Sequence, residues 1–231
     1  MIQALVMSAV LLALRPFDSA LPGLAQGKQE SEFPLLATED FEKGGDGWEF
    51  SDPKAWKVAD GPAGKMLSLF QKTTPKTPHR SPFGMALLKD VVVGDFVLEA
   101  RVQSTVKDYA HRDLCLFFGY QDPAHFYYSH LGKKTDDHAN QIFIVDGADR
   151  KKISTKTTPG TDWNDEWHVL RVVRKAAEGT IEVYYDDLKT PVQTAVDKTF
   201  AWGRIGVGSF DDTGNFDDVK VRGVKVVPPV K

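Results

Sequence analysis

The chain has 231 residues, 42% of them hydrophobic and 26% charged, with 14 Phe, 5 Trp, 6 Tyr and a net charge of −3. Basic and acidic residues are interspersed and form no basic block or stripe, which argues against a nucleic-acid partner. Cys115 stands alone, so no internal disulfide can hold the fold and its stability must come from packing.

Residues 4–14, ALVMSAVLLAL, form an apolar run of the length of a signal-peptide core, too short to span a bilayer. Gly23-Leu24-Ala25 supplies small residues for cleavage after Ala25. The expected organisation is a signal peptide at 1–25, a polar leader at 26–37, one β domain at 38–227 and a short tail at 228–231. That makes the protein secreted or periplasmic. The roughly 200 residues of the domain suffice for a full core.

Strands follow one another in short, regularly spaced runs. Leu35 to Glu42 reads as the first, broken by Gly44, Gly45 and Gly47; Trp48 and Phe50 open the next. AWKVADG ends in a turn at Asp60-Gly61, and residues 65–71 form a further strand. Residues 72–82, KTTPKTPHRSP, carry three prolines and no periodicity, which predicts a long loop; His79 and Arg80 at its end suit a binding loop. MALLKDVVVGDFVLEARVQS predicts two strands with a turn at Gly94-Asp95. In the second of them Phe96, Leu98, Ala100 and Val102 alternate with Val97, Glu99, Arg101 and Gln103.

The densest stretch runs from His111 to Gly147 and predicts strands at 112–120, 125–131 and 140–146. Alternation puts Phe126, Tyr128 and His130 on one face and His125, Tyr127 and Ser129 on the other. On the flanking strands Leu114, Leu116, Phe118, Ile142 and Ile144 read as core. Such a face, aromatic with hydrogen-bonding neighbours, suits a sugar ring, which has apolar C–H faces and a polar rim. The candidate ligand-binding set is Arg80, Arg112, Asp113, Tyr128, His130, Lys133, His138 and Gln141. Tyr128 and His130 are also candidate catalytic residues: a tyrosine and a histidine can serve as acid and base beside a carboxylate neutralised by Arg80, Arg112 or Lys133, the logic of a polysaccharide lyase. With both side chains in an open groove, their replacement by Ala should spare the fold. Cys115, in an apolar strand, is no nucleophile.

Further strands follow in HVLRVVR, TIEVYYDD, WGRIGVGS and FDDVKVRGVKVV, with no amphipathic helix and no internal repeat. Many short strands with turns between them predict an all-β sandwich.

DFEKGGDGW, WKVADG, DFVLEARVQ, DWNDEWHVLRVVRKAAEGTIEVYYDD and GRIGVGSFDDTGNFDDVKV together resemble the concanavalin A-like lectin and glucanase jelly rolls. Within that group the chain is most similar to exported bacterial domains described as family-16 glycoside hydrolase-like, laminin-G-like or 3-keto-disaccharide hydrolase domains. The resemblance spans roughly residues 38–225. It implies a two-sheet antiparallel jelly-roll sandwich that holds an oligo- or polysaccharide across its concave sheet. A glycan-cleaving enzyme and a laminin-G-like interaction domain are the alternatives it carries. The ExDxxE-type carboxylate motif of family-16 hydrolases is missing, and TDWNDEWH, nearest in composition, reads as a loop. Retaining hydrolysis needs two carboxylates about 5–5.5 Å apart. The resemblance further implies pairing of the first and last strands with a structural Ca2+ at their edge, for which Asp40, Glu42 and Asp217 are the candidate ligands, with Asp218, Asp211 and Asp212 nearby. The sequence leaves the oligomeric state open.

Overall fold

The computed structural model describes residues 33–74 and 76–229. The expected signal segment at 1–25 lies outside them. The fold is the expected all-β antiparallel sandwich. Its strands are β1 (Leu35–Glu39), β2 (Trp48–Phe50), β3 (Trp56–Gly61), β4 (Gly64–Leu69), β5 (Gly84–Ser104), β6 (Asp113–Asp122), β7 (His125–Gly132), β8 (Gln141–Asp146), β9 (Lys151–Lys152), β10 (Ser154–Thr157), β11 (His168–Lys175), β12 (Thr180–Tyr185), β13 (Gln193–Val196), β14 (Gly203–Ser209) and β15 (Gly214–Lys225). A 3-10 turn at Pro53–Ala55 is capped by the Asp52 side chain. Among the described residues no helix is long and apolar enough to cross a membrane. β1 starts at Leu35, so the end of the leader expected at 26–37 is already strand.

One layer runs β2, the first half of β5, β14, β6, β7, β8, β9. The other runs β1 and β4 beside β15, then the second half of β5, β11, β12, β13, β10, with β3 outside β4. β5 belongs to both. Its residues 84–93 pair with β14, and its residues 96–102 pair with β11. The strand runs unbroken through Gly94-Asp95, which corrects the turn expected there. The two halves of MALLKDVVVGDFVLEARVQS never pair with each other, because each is taken by other strands. The register with β14 shifts around Asp90, whose φ is 57°, and the strand passes from one layer to the other between Val93 and Phe96. Asp95 serves a different turn, accepting the N–H of Ala176 at 2.7 Å.

Alternation fills the space between the layers. Leu98, Val102, Leu116, Phe118, Ile142, Leu170, Val172, Ile181, Val183, Ile205, Val207 and Val221 are fully buried in one cluster. β14 has glycine at 206 and 208, alternating with Ile205 and Val207: a Cβ on Gly208 would lie 1.9 Å from the Gly84 carbonyl oxygen, so only glycine lets β5 come this close. A polar bridge crosses the core. Ser129 Oγ donates to Gln193 Oε1 at 2.9 Å, and Gln193 Nε2 donates to His130 O and Asn140 Oδ1, both at 2.9 Å.

Leu116→Ala should cost roughly 2–5 kcal/mol of stability through the cavity it leaves. Val196→Ala, at a position 60% exposed, should stay within about 0.5 kcal/mol. Urea unfolding of both variants checks the sidedness: equal losses would contradict this core.

Candidate functional site

The pairing Cys115–His130–Gln141 and Phe117–Tyr128–Phe143 across β6, β7 and β8 lines up Asp113, Tyr128, His130 and Gln141 on the outer face, opposite the sandwich core. The faces are therefore as the alternation implied. The exposure is not. Met85, Leu87, Cys115, Phe117, Phe126, Tyr128, Phe143 and Val145 form a second buried cluster there. Tyr128 stacks on Phe143 with ring centroids 5.1 Å apart. Arg150 closes the row: its guanidinium lies 4.6 Å from the Phe143 ring centre and 4.2 Å from that of Phe210, and it donates to Tyr128 Oη at 2.9 Å. The proline loop is tied to the same corner, since Arg80 N–H donates to Asp149 and Arg150 N–H donates to Arg80 O. The Arg80 side chain itself is exposed.

The expectation that Tyr128 and His130 stand free in a groove is thus corrected. Tyr128 is 0% and His130 4% exposed. Burial pushes the Tyr128 hydroxyl well above its usual range, which disqualifies it as a base at neutral pH. His130 Nδ1 accepts the Asn140 N–H, so the ring hydrogen sits on Nε2, 3.7 Å from Asp113 Oδ2. Burial, helped by the Arg150 charge, lowers His130 to about 3. Burial raises Asp113 to about 7 despite hydrogen bonds from Phe210, Cys115 and Ser209. With His130 neutral, the two make no ion pair at neutral pH. Gln141 spends its amide on Asp136 O at 3.0 Å, and His138 is an exposed turn residue whose N–H is held by Asp136. Cys115 is enclosed, and burial raises its thiol too, consistent with an inert residue.

Arg112 and Lys133 go elsewhere. They line an open cleft of about 680 Å³ at the rim of the sandwich, with Gln103, Thr105, Asp108, Asn164 and Asp165. Arg112, 1% exposed, donates through Nε to Ser104 Oγ at 3.0 Å. Its Nη2 donates to Ser104 O at 3.0 Å, Asn164 O at 2.7 Å and Asp165 Oδ1 at 2.8 Å. None of these bonds uses Nη1. Lys133 pairs with Asp108, and that hydrogen bond holds the Asp108 carboxyl below its usual value. Trp163 floors the turn, buried, with its indole N–H on Leu131 O at 2.8 Å. In the sequence Gln103 reads only as a polar strand position, Asn164 and Asp165 only as part of the TDWNDEWH loop, and Asp108 only as a polar loop residue.

The expected ligands Asp40, Glu42 and Asp217 do not assemble, although β1 and β15 do pair. Glu42 turns to the β3–β4 hairpin, accepting the Lys65 N–H at 2.6 Å, while Asp40 caps Glu42 N–H. Asp217 binds the Asp218 N–H; burial, with repulsion from Asp218 and Asp40, lifts it to about 6. Among the described residues the acids that do converge are Asp113, Asp211 and Asp212.

No protein-family model matches the chain, and no curated protein matches it. Solved structures do. The carbohydrate-binding module CBM66 from Bacillus subtilis is 21% identical, with a TM-score of 0.54, over 77% of this chain and 96% of that one. Domain 4 of AbnA, a GH43 extracellular arabinanase from Geobacillus stearothermophilus solved with arabinotriose, is 13% identical, with a TM-score of 0.54, over 85% and 95%. A lectin from Bauhinia forficata in complex with GalNAc is 12% identical, with a TM-score of 0.52, over 83% and 99%. At these identities the likeness is one of fold.

Two outcomes follow for the buried row. Tyr128→Ala should cost about 3–5 kcal/mol, as a large enclosed ring does, where the open-groove reading required almost nothing. His130 takes up its proton near 6.5 when unfolded but only near 3 when folded, so the unfolded chain binds more protons between these values. Its stabilising contribution is complete above about 6.5 and is lost as the pH falls toward about 3. The gap in melting temperature between wild type and His130→Phe should therefore shrink on acidification through this window. A constant gap would show that His130 is not held neutral.

Proposed function

We propose that the chain is an exported domain that binds an oligo- or polysaccharide, with the sugar seated in the rim cleft between the β5–β6 loop, Lys133 and the Trp163–Asp165 turn. The carrying observation is the cleft itself: about 680 Å³, open to solvent, and lined by closely spaced donors and acceptors from Gln103, Thr105, Asp108, Arg112, Lys133, Asn164 and Asp165. Its size is that of a small-molecule site, and sugar hydroxyls need both donors and acceptors. Three structures of like fold support the ligand class, being a carbohydrate-binding module, a domain seen with arabinotriose and a lectin seen with GalNAc. The apolar run at 4–14 supports export.

The concave sheet is the second seat, supported by the row of Asp113, His130 and Gln141. It is less favoured because Arg150 already covers Phe143 and Phe210, leaving a sugar little aromatic surface to stack on. Binding without cleavage is the simpler reading, since the acid–base candidates Tyr128 and His130 are enclosed.

Affinity electrophoresis and calorimetry of the domain against plant, algal and bacterial polysaccharides provide the test. Lys133→Ala should weaken binding several-fold while shifting stability by no more than about 0.5 kcal/mol. Asn164→Ala should weaken it too but lose about 1 kcal/mol of stability, because Asn164 Oδ1 accepts the Glu166 N–H at 2.6 Å and lies 3.1 Å from His168 Nε2. Tyr128→Phe should leave binding intact and lose about 1 kcal/mol of stability with its hydrogen bond. If Tyr128→Phe abolishes binding and the cleft variants do not, the sugar lies on the sheet. If no polysaccharide binds, the reading fails altogether.

A further inference from the structure

Three carboxylates converge where β14 gives way to β15. Asp113 opens β6, while Asp211 and Asp212 lie in the turn after Ser209. One side-chain oxygen from each lies within 4.8 Å of the other two. Asp113 is 1% and Asp212 2% exposed, and Asp211 stands at the surface. Like charges this close, two of them away from water, repel strongly.

The hydrogen bonding is one-sided. Asp113 Oδ2 accepts from Phe210 N–H at 3.1 Å, Ser209 Oγ–H at 3.2 Å and the Cys115 thiol at 3.4 Å. Asp113 Oδ1 is fully enclosed and accepts nothing. A buried oxygen without a partner is costly and rare in native proteins. Neighbouring cationic groups do not answer it. Lys72 Nζ, on an exposed side chain, reaches Asp212 Oδ1 at 3.5 Å. His130 Nε2 stands 3.7 Å from Asp113 Oδ2, beyond hydrogen-bond reach and on the oxygen already served.

We propose that Asp113, Asp211 and Asp212 form a divalent-cation site, with Asp113 Oδ1 as its buried ligand and calcium as its ion. All three ligands are hard oxygens, and they come from a strand start and a turn. Such an irregular set suits the flexible coordination of Ca2+ better than the near-ideal octahedron of Mg2+. Asp211 leaves the outer side open to water ligands. The ion would neutralise the repulsion and partner the orphaned oxygen in one step. It would also act on the β5–β6 loop: Tyr109 Oη donates to Asp212 Oδ2 at 2.8 Å, and Asp113 N–H donates to the same oxygen at 3.1 Å. The ligands differ from the set first expected at the paired edge of β1 and β15.

Cation binding is read without any sugar, so this test stands or falls apart from the glycan test. The full chain, stripped with EDTA and dialysed, is titrated with CaCl2, MgCl2 and MnCl2 by calorimetry, and its melting temperature is followed alongside. The expected result is one calcium ion per chain and a raised melting temperature. Asp211→Asn, at an exposed position, should fold normally and weaken calcium binding by on the order of tenfold or more, since ligand charge sets the affinity of such sites. Glu178→Gln, an exposed acid in a distant turn, should change nothing. Asp113→Asn should abolish binding; should it fail to fold, Asp211→Asn decides. No heat and no thermal shift in the wild type, or unaltered binding in Asp211→Asn, would overturn the proposal. A response to magnesium or manganese with none to calcium would overturn the choice of ion.

Discussion

β5 holds both layers of the sandwich in one hydrogen-bonded path. Its 21 residues start between β2 and β14, change layer between Val93 and Phe96, and end between β11 and β15. Two packed sheets could slide on an apolar interface, but a strand shared between them fixes their offset. The crossing must put Ala86 and Leu88 on the same core as Leu98 and Val102, and it does. Because β5 ends at Ser104, the same constraint delivers Gln103 and Ser104 to the rim, where Ser104 takes up Arg112. The cleft is thus a consequence of where a core strand stops.

Two arginines, Arg112 buried and Arg150 half-buried, show how the fold handles cations. Arg112 is bonded mainly to carbonyl and hydroxyl oxygens, with one exposed carboxylate, Asp165. Arg150 lies over two aromatic rings and a phenol. A guanidinium tolerates such places because it is weakly hydrated, planar and rich in donors. Neither arginine can swing freely toward a ligand. Arg150 in particular serves as the lid of the second apolar cluster, and a sugar would have to displace it before touching Phe143.

Strand positions and faces were legible in the sequence. The period of two sorted Leu116 and Ile142 from Tyr128 and His130 correctly, and the strands expected at 125–131 and 140–146 run from His125 to Gly132 and from Gln141 to Asp146. What alternation cannot report is whether the second face is covered. That depends on Arg150, from the turn that follows β8, and on Phe210, from a turn distant in the chain. The crossing of β5 was hidden for a related reason: Gly94-Asp95 is good turn chemistry locally, and long-range pairing overrode it. The acids at the β1–β15 edge were misread because composition places charges near one another without saying which ones a backbone N–H has already claimed. Of the cleft, the sequence singles out only Arg112 and Lys133, and those for a different face; the other lining residues are scattered from Gln103 to Asp165 and meet only through the fold.

The Thr105–Arg112 loop joins the two polar sites. Thr105, Val106, Lys107 and Asp108 wall the cleft, while Tyr109 turns the other way to Asp212. The apolar residues of this loop are Val106, Tyr109 and Ala110, and none of them is buried. Packing therefore cannot fix its shape. It is held by polar contacts: Thr105 N–H on Thr213 O, Tyr109 on Asp212, His111 on Asp136 at 2.7 Å, Lys134 N–H on Ala110 O and the Arg112 clamp. Each exposed contact of this kind is worth little alone and is screened by salt. The loop's order must then depend on charge, so whatever neutralises Asp212 and Asp113 on one side acts on the wall of the cleft on the other. The apolar core supplies the frame, and the shape of the proposed binding site is left to the electrostatics at its rim.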